Sequence, residues 1–482
     1  IALRQPLLVT NNADAGAGSL REAIATAATQ PGPDFIAFAP PLSGQTITFG
    51  SRITVNDPAS VIIDATTLPA GLTLGNSGGH QHFEIPAGRS CTLRGLTLIN
   101  GRSVNTPYGG AIKNDGTLDL ARCTFTNNLG GGGGAIGNFG LLIATDCTFT
   151  ANQSWDGGGA IFDLGTLTLT RCTFSGNTAP EAGAIMNYFS IATLTQCTFS
   201  GNSAFGRGGV ISTSTINGTQ SWINFRHCTF TGNSAGDKGG GIFFGNNFSF
   251  ITLTNCIVAG NSAPLGADIV FHGDLIRVGA NVIQSVVNAG AGTDSGPAAI
   301  IFDPLLAPLA NYGGLTATMA LRPGSPARNA AGGLAPVSDQ RGFPIVGAPD
   351  MGAYEAGSLT NCAATMAETF PPTVPAAAVG PLGDFDGDGS SNEQECHALT
   401  DPVNPASFFR ILTSVRSGAN LVLTFPTISG RHYNLWRSDS LPGAWTDTGL
   451  LPVTGNGANR TFSITAPVAG VPERFYRVQV RP

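Results

Sequence analysis

C-T-F-T-N-N at Cys123–Asn128 returns as C-T-F-T-A-N at Cys147–Asn152 and as C-T-F-S-G-N at Cys172–Asn177 and Cys197–Asn202. It returns again as C-T-F-T-G-N at Cys228–Asn233 and, degraded, as C-I-V-A-G-N at Cys256–Asn261. The first three steps are 24, 25 and 25 residues, and the later two are 31 and 28. A second phrase keeps step with the first. It reads G-G-A-I at Gly109, Gly133 and Gly158, A-G-A-I at Ala182, G-G-V-I at Gly208 and G-G-I-F at Gly240. Two phrases recurring together at a fixed period imply stacked supersecondary units.

Within one unit the residues alternate. In Gly165–Asn177, Leu167 and Leu169 share one face while Thr166, Thr168 and Thr170 share the other. That period of two predicts a strand with one buried face. Arg171 interrupts the alternation and predicts a bend. Beyond it Cys172 and Phe174 turn inward, Thr173 and Ser175 turn outward, and Gly176-Asn177 signals a turn. A third short strand is expected to start at Ile161. Apolar residues at three- and four-residue spacing, which a helix requires, are absent. The expected solid is a right-handed parallel β-helix, one coil per repeat, with like residues stacked at roughly 4.8 Å. Six coils then give about 30 Å of rod, stabilised by nearest-neighbour terms.

The G-G-A-I and F-x-x-N phrases over about residues 100–263 resemble the chlamydial polymorphic outer-membrane-protein repeat, which also occurs in bacterial exported β-helix proteins. Residues 303–355 carry a second likeness. F-D-P-L-L-A-P-L-A-N-Y-G-G-L-T, L-R-P-G-S-P-A, S-D-Q-R-G-F-P and D-M-G-A-Y-E are similar to the end of the β-helix in choice-of-anchor Q proteins. Arg328-Asn329-Ala330-Ala331 departs from the I-D-A-G usual there. Both resemblances imply an exported protein, secreted or on the cell surface; neither implies a reaction. The chain starts at Ile-Ala-Leu, as after removal of an export signal or in a trimmed chain.

Outward from the repeats, the expected divisions are an N-terminal cap with the first irregular coils at 1–100, regular coils at 101–302 and the end of the β-helix at 303–356. A linker at 357–381, a calcium-loop module at 382–406 and a small antiparallel β-sandwich at 407–482 complete the chain. Ser19-Leu20-Arg21-Glu22 is a capping box. It predicts a short helix, Leu20–Thr29, over the open end of the rod, because terminal repeats need caps and bare strand edges invite unwanted pairing. Irregular strands are expected at Phe35–Phe38, Thr46–Phe49, Val61–Ile63 and Cys91–Leu98. Alternating runs at Leu421–Phe425, Tyr433–Arg437, Thr461–Thr465 and Phe475–Val480 predict the sandwich.

Composition bounds the partners. Charged residues are 11% of 482 and net charge is −6. Lys113 and Lys238 are the only lysines, so no basic field invites nucleic acid. No run of 18 apolar residues predicts a transmembrane helix. Of nine cysteines, seven fall at comparable strand positions. In-register neighbours point the same way, which predicts a ladder of buried thiols rather than bridges. Cys362 and Cys396 flank a small module and are the expected disulfide.

Three motifs could carry function. Asp384-Phe-Asp386-Gly-Asp388-Gly389-Ser390-Ser-Asn392-Glu-Gln-Glu395 satisfies D-x-D-x-D-G-x5-E. Calcium takes six to eight hard oxygens. Carboxylates of Asp384, Asp386 and Asp388, the Ser390 carbonyl, Asn392 directly or through water, and a bidentate Glu395 would supply them. With Thr400-Asp401-Pro402 after it and Ser391 where EF-hands carry an aliphatic residue, the loop resembles thrombospondin type 3-like calcium repeats and implies a structural role. The second motif is an outward array: Thr124/Thr126, Thr148/Thr150, Thr173/Ser175, Thr198/Ser200 and Thr229/Thr231. It suits a solvated β face, self-association with a neighbouring rod, or polysaccharide, and its T-x-T spacing resembles ice-binding β-helices. The third is acidic. Asp156 and Glu181 lie one repeat apart, with Lys113, Arg207 and Asp237 on nearby turns, whereas His80-x-His82 lacks a third ligand. Paired carboxylates would serve a polysaccharide lyase or hydrolase. The reading favoured is a non-catalytic structural or adhesive rod, with self or neighbouring surface proteins as partners.

Overall fold

The computed structural model describes residues 5–103, 108–214, 219–333, 336–357, 362–370, 391–392, 396, 411–418, 420–427, 432–438, 446–456, 458–465 and 475–481. The chain forms two compact units, Ile1–Ser358 and Leu359–Pro482.

The first unit is a parallel β-helix. Three long sheets of 12, 10 and 10 strands run along it, with a shorter fourth sheet of five strands on the regular coils. One coil contains Thr166–Thr170, Thr173–Ser175, Thr178–Ala179 and Ile185–Tyr188. Five of the coils therefore carry a fourth strand; this two-residue strand after the asparagine is too short to show alternation in sequence. Each pairs in register with its counterpart, as in Leu167↔Ala192 and Phe174↔Phe199. The bends come from residues in the left-handed region. Arg122, Asp146, Arg171, Gln196, His227 and Asn255, each directly before a cysteine, have φ of 49–55°. Side chains rarely adopt this region, so the stacked backbone holds it: Asp146 N donates to Thr170 O and Arg171 N to Thr195 O, both at 3.0 Å.

Inside, like stacks on like. The rings of Phe125, Phe149, Phe174, Phe199 and Phe230 follow one another at 4.6–5.0 Å, nearly parallel. That is the inter-strand spacing, so coil register, rather than the offset preference of free rings, sets the geometry. The seven rod cysteines are free and buried. Burial pushes the Cys91 thiol well above its ordinary range.

A buried asparagine ladder turns the next corner. Asn128, Asn152, Asn177 and Asn202 each donate Nδ2 to the Oδ1 of the asparagine one coil on, at 2.8–3.0 Å, and Asn233 donates to Asn261 at 2.8 Å. Each also donates to a backbone carbonyl on the preceding coil, as Asn177 does to Phe149 O at 2.9 Å. The glycine phrase marks a close approach. A Cβ on Gly134, Gly159, Gly183 or Gly209 would lie 1.9–2.1 Å from a glycine carbonyl of the next coil, so a side chain is excluded there.

The helix Leu20–Ala27 caps the rod start. Ser19 Oγ accepts from Glu22 N at 3.2 Å, and the Glu22 carboxylate accepts from Gly18 N at 2.6 Å. Leu20, Ala23, Ile24 and Ala27 join the core. Three irregular strands lie close to their expected bounds, at Asp34–Phe38, Thr46–Phe49 and Val61–Asp64. Cys91–Leu98 instead splits into Ser90–Arg94 and Leu96–Ile99, because Gly95 at φ 65° makes the corner.

At the far end the chain departs from expectation. The last stacked strand is Asp294–Ser295. Residues 303–333 and 336–356 do not continue the coils; they lie back along the outside of the rod, where Thr316 Oγ1 donates to Arg171 O at 3.0 Å. In the second unit, Thr413–Ser417, Asn420–Phe425 and Arg460–Thr465 form one antiparallel sheet. His432–Ser438 centres another. Leu423, Phe425 and Phe462 of the first sheet share a core with Tyr433 and Leu435 of the second.

Candidate functional site

The hydroxyl array forms in backbone register. Thr124, Thr148, Thr173, Thr198 and Thr229 make one column, and Thr126, Thr150, Ser175, Ser200 and Thr231 the other. The two columns have different environments. In the first, Thr173, Thr198 and Thr229 are buried, because the returning segment lies on them. Gln340 Nε2 donates to Thr173 Oγ1 at 2.9 Å, Thr198 Oγ1 donates to Gln340 Oε1 at 2.5 Å, and Ala353 N donates to Thr229 Oγ1 at 3.0 Å. The expected flat surface ladder is thus replaced, on that column, by an internal interface. Ser175 Oγ donates to Thr150 Oγ1 at 3.0 Å, and the whole second column is half-buried.

Residues of the S-D-Q-R-G-F-P and D-M-G-A-Y-E words build the clasp of this segment. Arg341 is buried, pairs with Asp339 at 2.7 Å, donates to Tyr312 O and Glu355 O, and lies 3.8 Å over the Tyr354 ring. The Asp350 carboxylate accepts from the backbone of Asn329 and Ala356. Asn255, at a rod bend, exchanges hydrogen bonds with Gly332 at 2.8 and 3.0 Å. Burial, reinforced by the Asp350 and Asp339 carboxylates, pushes Glu355 up to about 7.

The calcium-loop residues Asp384, Asp386, Asp388, Ser390 and Glu395 lie outside the described residues, and the Asn392 side chain is buried. Among the described residues no cluster of three or more metal-ligating side chains occurs. Cys396 is disulfide-bonded, and the side chain of Cys362 is outside the described set.

Asp156 and Glu181 take the same place on adjacent coils, each three residues beyond the register pair Gln153↔Thr178. Arg207 bridges Glu181 at 4.0 Å and Asp237 at 3.5 Å, one coil to each side. Glu181 is raised, first by burial and then by Asp237, while Arg207 opposes both. Arg207 also lies 5.4 Å over Phe243, and a groove here is lined by Glu181, Tyr188, Arg207, Ser212 and Phe243. His82 is buried against Phe49, and burial lowers it to about 4. Asp146 is clamped by Arg171 at 2.7 and 3.0 Å.

Beside this groove lies a strip that the repeat phrases do not reveal. Trp155, Pro180 and Phe205 follow Ser154, Ala179 and Ala204, which occupy the same place on three consecutive coils. Trp155 is 57% exposed and Phe205 82% exposed. They line a second groove with Gln153, Ser154 and Thr178. Aligning S-W-D, A-P-E, A-F-G and A-G-D, the words after each asparagine, would have shown the column.

Among the described residues no helix is long and apolar enough to cross a membrane. No curated protein matches this chain. Residues 83–258 match the family model for a right-handed β-helix region, and with the in-register coils this makes the rod a right-handed parallel β-helix.

Proposed function

We propose that the protein is an extracellular structural and adhesive rod, secreted or held at the cell surface, that lies against neighbouring copies or polysaccharide. The observation that carries this reading is the hydroxyl column Thr126–Thr150–Ser175–Ser200–Thr231, a half-exposed, uncharged stripe along the coils beside the clasped segment. Uncharged polar surface packs against another polymer with little charge to desolvate. The likeness of the repeats to those of exported β-helix proteins supports the location. Size and morphology of the purified chain by light scattering and electron microscopy test the reading. Fibres, sheets or discrete oligomers are expected, and a strict monomer that cleaves uronate-rich glycans would sink it.

The Glu181–Arg207–Asp237 cluster supports a second reading, a polysaccharide-active enzyme with acids on adjacent coils of one groove. Sugar release abolished by both Glu181→Gln and Asp237→Asn would favour it.

Calcium at Asp384, Asp386, Asp388, Ser390, Asn392 and Glu395 is part of the proposal, as a brace within the second unit. Its support is the complete loop pattern. The purified chain should contain about one calcium per molecule by elemental analysis, and Asp384→Ala with Asp388→Ala should remove it and lower the melting temperature. Cys362 is the proposed partner of Cys396: of nine cysteines, seven are free in the rod. Non-reducing peptide mapping should recover that pair.

A further inference from the structure

We infer that the strip of Trp155, Pro180 and Phe205 binds a neutral, linear glycan of equatorially hydroxylated pyranoses, lying along the rod axis. The inference deepens the adhesive reading and rests on it. Large aromatic side chains left this exposed on a folded surface mark an interaction site. Here they are aligned by the fold rather than scattered. Phe205 N donates to Ala179 O at 3.0 Å, and Trp155 N to Gly130 O at 3.0 Å, so each side chain leaves the same corner of its coil. Trp155 and Phe205 are two coils apart, about 10 Å, with Pro180 as a low apolar step between them. Two pyranose rings of an extended chain span such a distance, and each offers an apolar face of axial C–H bonds to an aromatic ring.

The flanks fit the edges of the same sugars. On one side Gln153, Thr178, Ser203 and Ser234 form a register column of short polar groups. Ser234 Oγ donates to Ser203 Oγ at 3.0 Å, while Gln153 is exposed. On the other side stand the acids Asp156, Glu181 and Asp237. Glu181 reaches over Gly206, where an added Cβ would meet its carboxylate oxygen at 2.5 Å. Equatorial hydroxyls radiate from the ring edge toward both columns, where hydroxyl, amide and carboxylate groups can pair with them. The charge decides between polymers that stack on aromatic rings. Arg207 is engaged by Glu181 and Asp237, and Lys238 is its register neighbour on the next coil, so the three acids Asp156, Glu181 and Asp237 stand against two cations and the balance beside the strip is negative. A uronate, a sulfated glycan or single-stranded nucleic acid would be repelled; a neutral glycan is not.

The test uses the full chain with cellohexaose and chitohexaose as neutral probes. Polygalacturonate and a single-stranded thymidine oligonucleotide are the anionic ones. Titration calorimetry should show binding of at least one neutral hexaose. Trp155→Ala and Phe205→Ala should each weaken it about tenfold or more, with melting temperature unchanged because both side chains are exposed. The inference is overturned if neither hexaose binds at millimolar concentration, if the variants bind like the parent, or if either anionic probe binds more tightly. It is also overturned if the variants only dissociate an oligomer, which would make a second copy the occupant. If the hexaoses fail while sizing and microscopy still show association through other faces, the adhesive reading stands and this site falls.

Discussion

Asn177 shows how one side chain holds three consecutive coils together. Its Oδ1 accepts from Asn152 N at 3.0 Å, and its Nδ2 donates to Phe149 O and Asn202 Oδ1 at 2.9 and 2.8 Å. Every polar atom is buried and partnered, so removal leaves several desolvated groups unpaired. Asn177→Ala should cost about 3 kcal/mol by chemical denaturation. Gly183→Ala at the opposite corner should be worse tolerated, since the added Cβ meets Gly209 O at 2.1 Å with no flexible neighbour to yield; loss of soluble expression is the expected readout. These asparagines were legible as turn residues from F-x-x-N. Their linkage into a ladder was not, because it depends on where the next coil places its own asparagine.

The returning segment behaves as an element with its own chemistry. Gln340 joins Thr173, Thr198 and Thr316 in one buried cluster, and Arg341 and Glu355 close the loop behind it. Gln340→Ala should loosen residues 303–356 without melting the rod, seen as faster amide exchange in that segment alone. Glu355 makes the clasp pH-dependent. Its ordinary value is 4.5 and its folded value about 7, so between these the native state keeps a proton that the unfolded chain has released. Stability from this group is therefore full below pH 4.5 and declines as pH rises toward 7. The full span is up to about 3 kcal/mol. Exchange protection of residues 329–356 should be higher at pH 5 than at pH 8, and Glu355→Gln should flatten the difference. The motif words of this segment were visible in sequence as the end of the β-helix. Their placement was not, since no local pattern says whether a chain extends a stack or folds back on it.

The whole molecule divides surface from interior in an unusual way. Its core is a set of one-residue columns of phenylalanine, thiol, leucine and asparagine, and stability should be close to a sum over neighbouring coils. A core break such as Phe174→Ala should therefore lower stability by about 3–5 kcal/mol and, by exchange, affect the adjacent coils more than the cap. With only 11% charged residues, association by the proposed uncharged stripe should vary little with salt, unlike an ionic interface; light scattering at low and high ionic strength checks this. The amino-acid sequence alone determined the β-helix, its period, its inward residues, its helical cap and the strand positions of the antiparallel module. Those follow from alternation, glycine placement and capping, which are local and repeat. Only the tertiary structure decided which outward residues remain outward. The Thr173–Thr198–Thr229 column was lost to the returning segment, whereas Trp155 and Phe205 stayed exposed. Exposure depends on which distant segment comes to rest on a face, and that is settled by contacts more than a hundred residues apart.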